Sequence, residues 1–213
     1  VIYTAVDVSL PLVITARQRV SDLVADSHGV ICDLEAAEDL DKCLLKSAAS
    51  KRIITFFGML PNSESNIILP RLRKLADPGD LLLMSANLAP GRDYAAAVQR
   101  VLPQYDNRHT ADWLMTLLYD LGVERSDGQL AFSIEECQGL RRIRADFRFS
   151  RACSIGLEDE TVEFKSGDAV RLFFSYRYTP GLLATQLSKY SFAIEQSWIA
   201  PSGEEGVFIV RGA

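Results

Sequence analysis

Residues 1–87 hold the apolar runs VIYTAVDV (1–8), VIC (30–32), KRIITFFG (51–58) and LLLMS (81–85). Each run is aliphatic or β-branched almost throughout and does not alternate, the pattern of a strand buried on both faces. The stretches between them carry helical signals. Ser9 can cap a helix over 10–25, which His28-Gly29 then breaks. Leu40, Leu44 and Leu45 share helical spacing and predict a helix over 35–50. Residues 59–66 read as a loop and 67–76 as a helix, closed by the turn Asp77-Pro78-Gly79-Asp80. Strands alternating with helices predict an α/β fold, a doubly wound parallel sheet with helices on both faces.

Beyond residue 90 the pattern changes. Residues 93–102 and 111–121 read as helices with Pro103 between them, and from Gln129 the chain turns to β. Within Arg141–Arg151, Ile143, Ala145, Phe147 and Phe149 fall on one face, and Arg142, Arg144, Asp146, Arg148 and Ser150 on the other. A helix over 181–189 and strands over 191–200 and 206–211, turned at Pro201-Ser202-Gly203, end the chain. The expected organisation is a cofactor-binding part (1–90), an α+β substrate-binding part (91–175), and a C-terminal part (176–213) that completes the first sheet.

Composition narrows the function. The 213 residues carry 23 Lys plus Arg against 28 Asp plus Glu, a net charge of −5. Mild acidity argues against nucleic acid and against a basic membrane-surface helix as partners. No apolar run approaches the roughly 20 residues that cross a bilayer, and the first residues lack the cationic start and apolar core of a signal peptide. Cys32, Cys43, Cys137 and Cys153 are far apart, and His28 and His109 are the only histidines, so no recognised metal-ligand spacing occurs. Reduced thiols in a cytoplasmic protein are expected. No phosphate-binding glycine loop and no nucleophile elbow is present.

The residues able to carry chemistry sit mostly at strand ends, where doubly wound sheets bind ligands. Asp7 can accept two hydroxyls of a ribose, or cap the next helix with Ser9. Asp33 can accept from an adenine amine while Leu34 packs on the base, or can cap the helix that follows. Gly58 allows close backbone approach. Asn62 can offer an amide to a substrate, or simply close a Pro-Asn turn. Tyr105, His109 and Trp113 recur at a spacing of four, as a ligand-facing or a core-packing stripe. Ser175, helped by Arg177, can bind a carboxylate, or the two can face solvent on an alternating strand.

The series YTAVDVS, ICDLEAAEDL, RIITFFGMLPN, ILPRLRKLADPGDLLLMSANL and FKSGDAVRLFFSYRYT resembles the histidine-specific methyltransferase family, in that family's order and over nearly the whole chain. Its best-known members trimethylate the α-amine of histidine, and others act on related amino acids such as prenylated tryptophan. The resemblance implies S-adenosylmethionine on a Rossmann-like sheet and an inserted α+β domain for an amino-acid substrate. Carried over, Asp7 holds the ribose, Asp33 and Leu34 read adenine, and Gly58 falls in the loop after the third strand. Asn62, Tyr105, Trp113 and Ser175 become substrate-facing positions.

The chain also departs from the family. The glycine-rich cofactor loop and the strand before it are not in these residues, so the sheet is expected to start at its second strand. The family's acid after the fourth strand is Asn87, and its Phe-Asn helix motif reads Trp113-Leu114-Met115-Thr116. Its Thr-Glu-x-Ser motif reads Leu172-Phe173-Phe174-Ser175, which replaces an amine-binding carboxylate with an aromatic ring. The expected function is N-methylation of a small amino-acid-like substrate other than histidine. The alternative is a non-catalytic binding or scaffold domain derived from such an enzyme. Oligomeric state is left open.

Overall fold

The structure is a computed structural model that describes residues 1–44 and 51–212. Strand β1 (Ile2–Asp7), helix α1 (Leu10–Val20) and strand β2 (Asp26–Ile31) form a parallel β–α–β unit with Asp7 paired to Ile31. The Ser9 hydroxyl caps α1. The helix ends at Val20, short of residue 25, and β2 starts ahead of residue 30, so His28-Gly29 lies inside the strand. Packing explains that glycine. A Cβ on Gly29 would lie 2.6 Å from Val13 Cγ1, so its bareness lets α1 seat on β2.

The helix expected over 35–50 is largely absent from the described part. The Asp33 carbonyl accepts from Ala36 and Ala37 in a tight turn, and only α2 (Leu40–Cys43) is helical. Residues 45–50 of that expectation, Leu45 among them, lie outside the described residues.

Strand β3 (Ile53–Phe56), a 3-10 turn at Leu60–Asn62, helix α3 (Ser65–Leu75) and strand β4 (Leu81–Asn87) form a second β–α–β unit, with β3 parallel to β4. Helix α6 (Pro180–Ser188) leads into the antiparallel hairpin β10 (Phe192–Ile199) and β11 (Glu205–Gly212). Strand β11 pairs antiparallel with β4, giving the sheet order β10-β11-β4-β3. The main core lies here, with Phe56, Leu72, Met84, Leu187, Phe208 and Val210 all buried.

The expectation of one sheet buried on both faces needs correction. Among the described residues, β1 and β2 pair only with each other. Only Ala5 of β1 is buried and no residue of β2 is: α1 covers the pair, while Val6 and Val30 meet the main core only half-buried. An apolar run permits two-sided burial, but the covering elements decide it.

The middle of the chain holds α4 (Tyr94–Val101), α5 (Arg108–Asp120) and the antiparallel strands β5 (Gly128–Cys137), β6 (Leu140–Phe149) and β9 (Ala169–Arg177), in the order β5-β6-β9. The hairpin β7 (Cys153–Leu157) and β8 (Glu160–Phe164) packs beside them through Phe149 and Phe164, whose rings stack at 4.5 Å. The face read from alternation, Ile143, Ala145, Phe147 and Phe149, is fully buried. The residue-175 boundary falls inside β9, and this strand joins the two sheets. Leu88 bridges Tyr178 in parallel, and the Tyr178 N–H donates to Asn87 O at 2.9 Å. That places the end of β9 beside the end of β4. No described helix is long and apolar enough to cross a membrane.

One ion pair holds β3 against the turn before β4. The Arg52 guanidinium donates to Asp80 Oδ2 at 2.6 and 2.9 Å, and the Arg52 N–H donates to Asp80 Oδ1 at 2.9 Å. The Asp80 carboxylate is 4% exposed. Burial pushes this carboxyl up, but hydrogen bonds from Arg52 and the Asp77 N–H outweigh it and leave the group below its ordinary range. Its stabilisation is therefore complete above the unfolded carboxylate value of about 4 and is lost as pH falls through the lower folded value. We predict that Asp80→Ala costs about 3 kcal/mol in urea unfolding at neutral pH. The gap to the parent should shrink at acidic pH.

Candidate functional site

The ends of β1, β2 and β3 converge on a cavity of about 400 Å³. Asp7 and Val8 leave β1, Cys32, Asp33, Leu34 and Glu35 leave β2, and Gly58, Met59, Asn62 and Ser63 follow β3. The parallel register makes this convergence. Asp7 pairs with Ile31, and its carbonyl accepts the Cys32 N–H at 3.2 Å, so Asp7 and Asp33 leave the sheet side by side. The volume is in the range of small-molecule and cofactor sites, about 300–1,000 Å³.

Each of the two aspartates closes a local turn, and no helix starts at Glu35 for Asp33 to cap. Asp7 Oδ1 accepts the Ser9 N–H at 2.8 Å, and Asp33 Oδ1 accepts the Glu35 N–H at 2.8 Å. These are local turns closed by a side chain two residues back. The second oxygen of each takes no hydrogen bond from the described residues, which leaves an oriented acceptor for a ligand. Glu35 supplies a third carboxylate, fixed by the Glu64 N–H at 3.1 Å. Among the described residues no cationic side chain lines the cavity, which favours a neutral or cationic ligand.

Gly58 has φ of 73°, in the left-handed region where glycine pays no steric penalty. Its N–H donates to Ser85 Oγ at 2.7 Å, so this glycine turns the chain and does not offer its amide to a ligand. Asn62 Nδ2 donates to the Phe174 carbonyl at 2.6 Å, tying the cavity rim to β9, while Oδ1 stays open among the described residues. Cys32 lies at the cavity wall. Burial, with Asp33 and Cys43 nearby, pushes its thiol up, so it stays protonated and is a poor nucleophile.

The structure thus brings Asp7, Asp33, Leu34, Gly58 and Asn62 together. Tyr105, Trp113 and Ser175 do not line this cavity. Trp113 is 67% exposed on α5, and His109 on the same helix is also exposed. Ser175 lies elsewhere, on β9, and Tyr105 packs against that strand. Tyr105 stacks on Phe173 with ring centroids 5.5 Å apart, and the Ser175 hydroxyl accepts from Asn87 Nδ2 at 3.1 Å. Sequence reading missed Val8, Cys32, Glu35, Met59 and Ser63. For Glu35 a signal existed, since it follows a strand-end acid by two residues.

Beside the rim lies a buried ionic cluster. Arg142 pairs with Glu64 and Glu135 at 2.6 Å each, and Tyr176 Oη donates to Glu64 at 2.8 Å. Burial works against the Arg142 cation, but the bonds to Glu135 and Glu64 push its pKa up and keep it charged. Burial, with Cys137 and Glu64 alongside, raises the Tyr176 hydroxyl, which stays neutral.

The sequence model of the histidine-specific, SAM-dependent methyltransferase family matches residues 1–212. The chain belongs to that family. It is an S-adenosylmethionine-dependent methyltransferase, and S-adenosylmethionine is its cofactor. No curated protein sequence matches it. Among solved structures it is similar to an S-adenosylmethionine-dependent methyltransferase from Clostridium acetobutylicum, at 11% identity over 98% of this chain and 74% of that one, with a TM-score of 0.46. It is similar to the glycopeptide N-methyltransferase MtfA, solved with S-adenosylmethionine, at 14% identity over 99% and 77% of the two chains and a TM-score of 0.42. A third is the CcbJ methyltransferase from Streptomyces caelestis, at 10% identity over 99% and 74%, with a TM-score of 0.43.

The cavity suits the family's cofactor, which carries a ribose diol, an adenine amine and a sulfonium cation. Asn in place of Asp7 or Asp33 keeps one oxygen for the local turn and removes the ligand-facing charge. Each of Asp7→Asn and Asp33→Asn should weaken S-adenosylhomocysteine binding about tenfold or more in calorimetry, with the melting temperature nearly unchanged.

Proposed function

We propose that this methyltransferase transfers a methyl group to a nitrogen of a small amino-acid-like molecule other than histidine. One observation carries the reading: two adjacent strand ends deliver Asp7, Asp33 and Glu35 into a single cavity with no cation among its described lining residues. Asp7 would hold the ribose hydroxyls with its open oxygen. Asp33 would accept from the adenine amine while Leu34 packs on the base. S-adenosylmethionine supplies an electrophilic methyl group on a sulfonium centre. The chain's own task is to align a neutral amine and exclude water, which needs no protein nucleophile.

Asn62 joins the cavity to the acceptor side, because its amide nitrogen is held by β9 and its oxygen is open to an amine N–H. Phe173 supports an acceptor other than histidine. The family's amine-binding carboxylate would stand at this position, and here a ring packs on Tyr105. Losing a charge-assisted contact is worth about 1.5–3 kcal/mol. Trp113 and Ser175 are further acceptor-side candidates. The reading is of a cytoplasmic enzyme with a small-molecule partner and neither nucleic acid nor membrane.

Calorimetry with S-adenosylhomocysteine, followed by mass spectrometry of an amino-acid panel incubated with S-adenosylmethionine, tests this. Binding and a methylated product are expected, with kcat/KM for histidine about tenfold or more below that of the best acceptor. Absence of cofactor binding would sink the proposal. Binding without product across the panel would favour the non-catalytic alternative.

A further inference from the structure

Two arginines on the adjacent strands β6 and β9 are buried to the same degree but differ in what neutralises them. Arg142 is 5% exposed and sits between two carboxylates. Arg177 is 4% exposed and has no carboxylate partner among the described residues. One of its N–H groups reaches Leu88 O at a long 3.4 Å, Nη2 donates to Tyr105 Oη, and its buried Nε has no partner among the described residues. A buried cation without a counter-charge is costly, and a bound anion would offset that cost.

The surroundings show which ligand. Phe173, Ser175 and Arg177 alternate onto one face of β9. Tyr105 lies across that face, with its ring 5.5 Å from Phe173 and 5.3 Å from the Arg177 guanidinium carbon. The Arg177 edge formed by Nε and Nη2 is the fork that grips a carboxylate with two parallel hydrogen bonds. Half of that fork is buried and unpaired, and the other half meets a hydroxyl whose own proton is free to donate. Asn62, at the cavity rim, is bonded to the carbonyl of Phe174, and Asn87 to Ser175, so this face continues from the cofactor cavity.

We propose that Arg177, with Tyr105 Oη, is the anion-reading point of the acceptor site and binds a carboxylate on a substrate with an apolar body. The identity of that molecule as methyl acceptor rests on the methyltransferase reading above; the anion site itself does not.

Phenylacetate and phenylacetamide, which differ in charge at one end, serve as probes in calorimetry with and without S-adenosylhomocysteine. The acid is expected to bind about tenfold or more tighter than the amide. Arg177→Met abolishes that preference and leaves S-adenosylhomocysteine affinity in place. Tyr105→Phe, which keeps the cation, narrows the preference severalfold. Thermal unfolding supplies an independent readout: phenylacetate raises the parent's melting temperature and not that of Arg177→Met, which melts no lower than the unliganded parent. Equal affinity for acid and amide in the parent overturns the proposal. A preference surviving in Arg177→Met, or a sharp loss of stability there, assigns Arg177 a purely structural role. Failure of S-adenosylhomocysteine to bind, with acid preference retained, overturns the methyltransferase reading and leaves the anion site standing.

Discussion

The parallel pairing of β1 with β2 is the constraint on which the site depends. With Asp7 opposite Ile31, the two strands end level, and each emits an aspartate within the same turn of chain. Each aspartate then spends one oxygen on the backbone N–H two residues ahead. That bond fixes the carboxylate without exhausting it, because a carboxylate has two oxygens and a turn needs only one. Structural capping and ligand binding are therefore compatible uses of one side chain. The third strand, β3, closes the arrangement through Gly58 and the turn that carries Asn62.

A second constraint ties this cavity to the rest of the protein. Strand β9 belongs to the middle sheet along most of its length and meets β4 at its end. It therefore carries Ser175 and Arg177 toward the cofactor side, and Asn62 bonds across to its backbone. The paired cation Arg142 and the unpaired cation Arg177 mark the two uses of this strand region. One closes an internal ionic cluster that holds β6 and β9 to Glu64, and the other keeps a buried nitrogen unpaired among the described residues. A protein commonly carries such a locally unfavourable group where function requires it.

Much of the strand-end cavity was legible in the amino-acid order, because a strand end is a local feature. Asp7 and Gly58 close apolar runs, Asp33 and Leu34 come just after one, Asn62 stands four residues beyond another, and all five line one cavity. The burial expected of those runs was not legible, since β1 and β2 have the right composition yet only Ala5 of the pair is buried. Glu35 escaped notice because its fixing partner, Glu64, is 29 positions away. The acceptor side was harder still. Tyr105 and Arg177 are 72 positions apart, and whether Arg177 has a counter-charge depends on pairings that no local pattern encodes. Trp113 shows the opposite limit: its spacing from Tyr105 put the two on one stripe, yet Tyr105 precedes α5 and only Trp113 rides on that helix, facing solvent.

The central claim is that the strand-end acids form the cofactor site. A crystal structure of the protein with S-adenosylhomocysteine tests it most directly. The account predicts the ribose hydroxyls on the open oxygen of Asp7 and the adenine between Asp33 and Leu34, with the sulfur end directed toward Asn62. Ligand density elsewhere on the molecule, with the Asp7 and Asp33 oxygens still unbound, would contradict it.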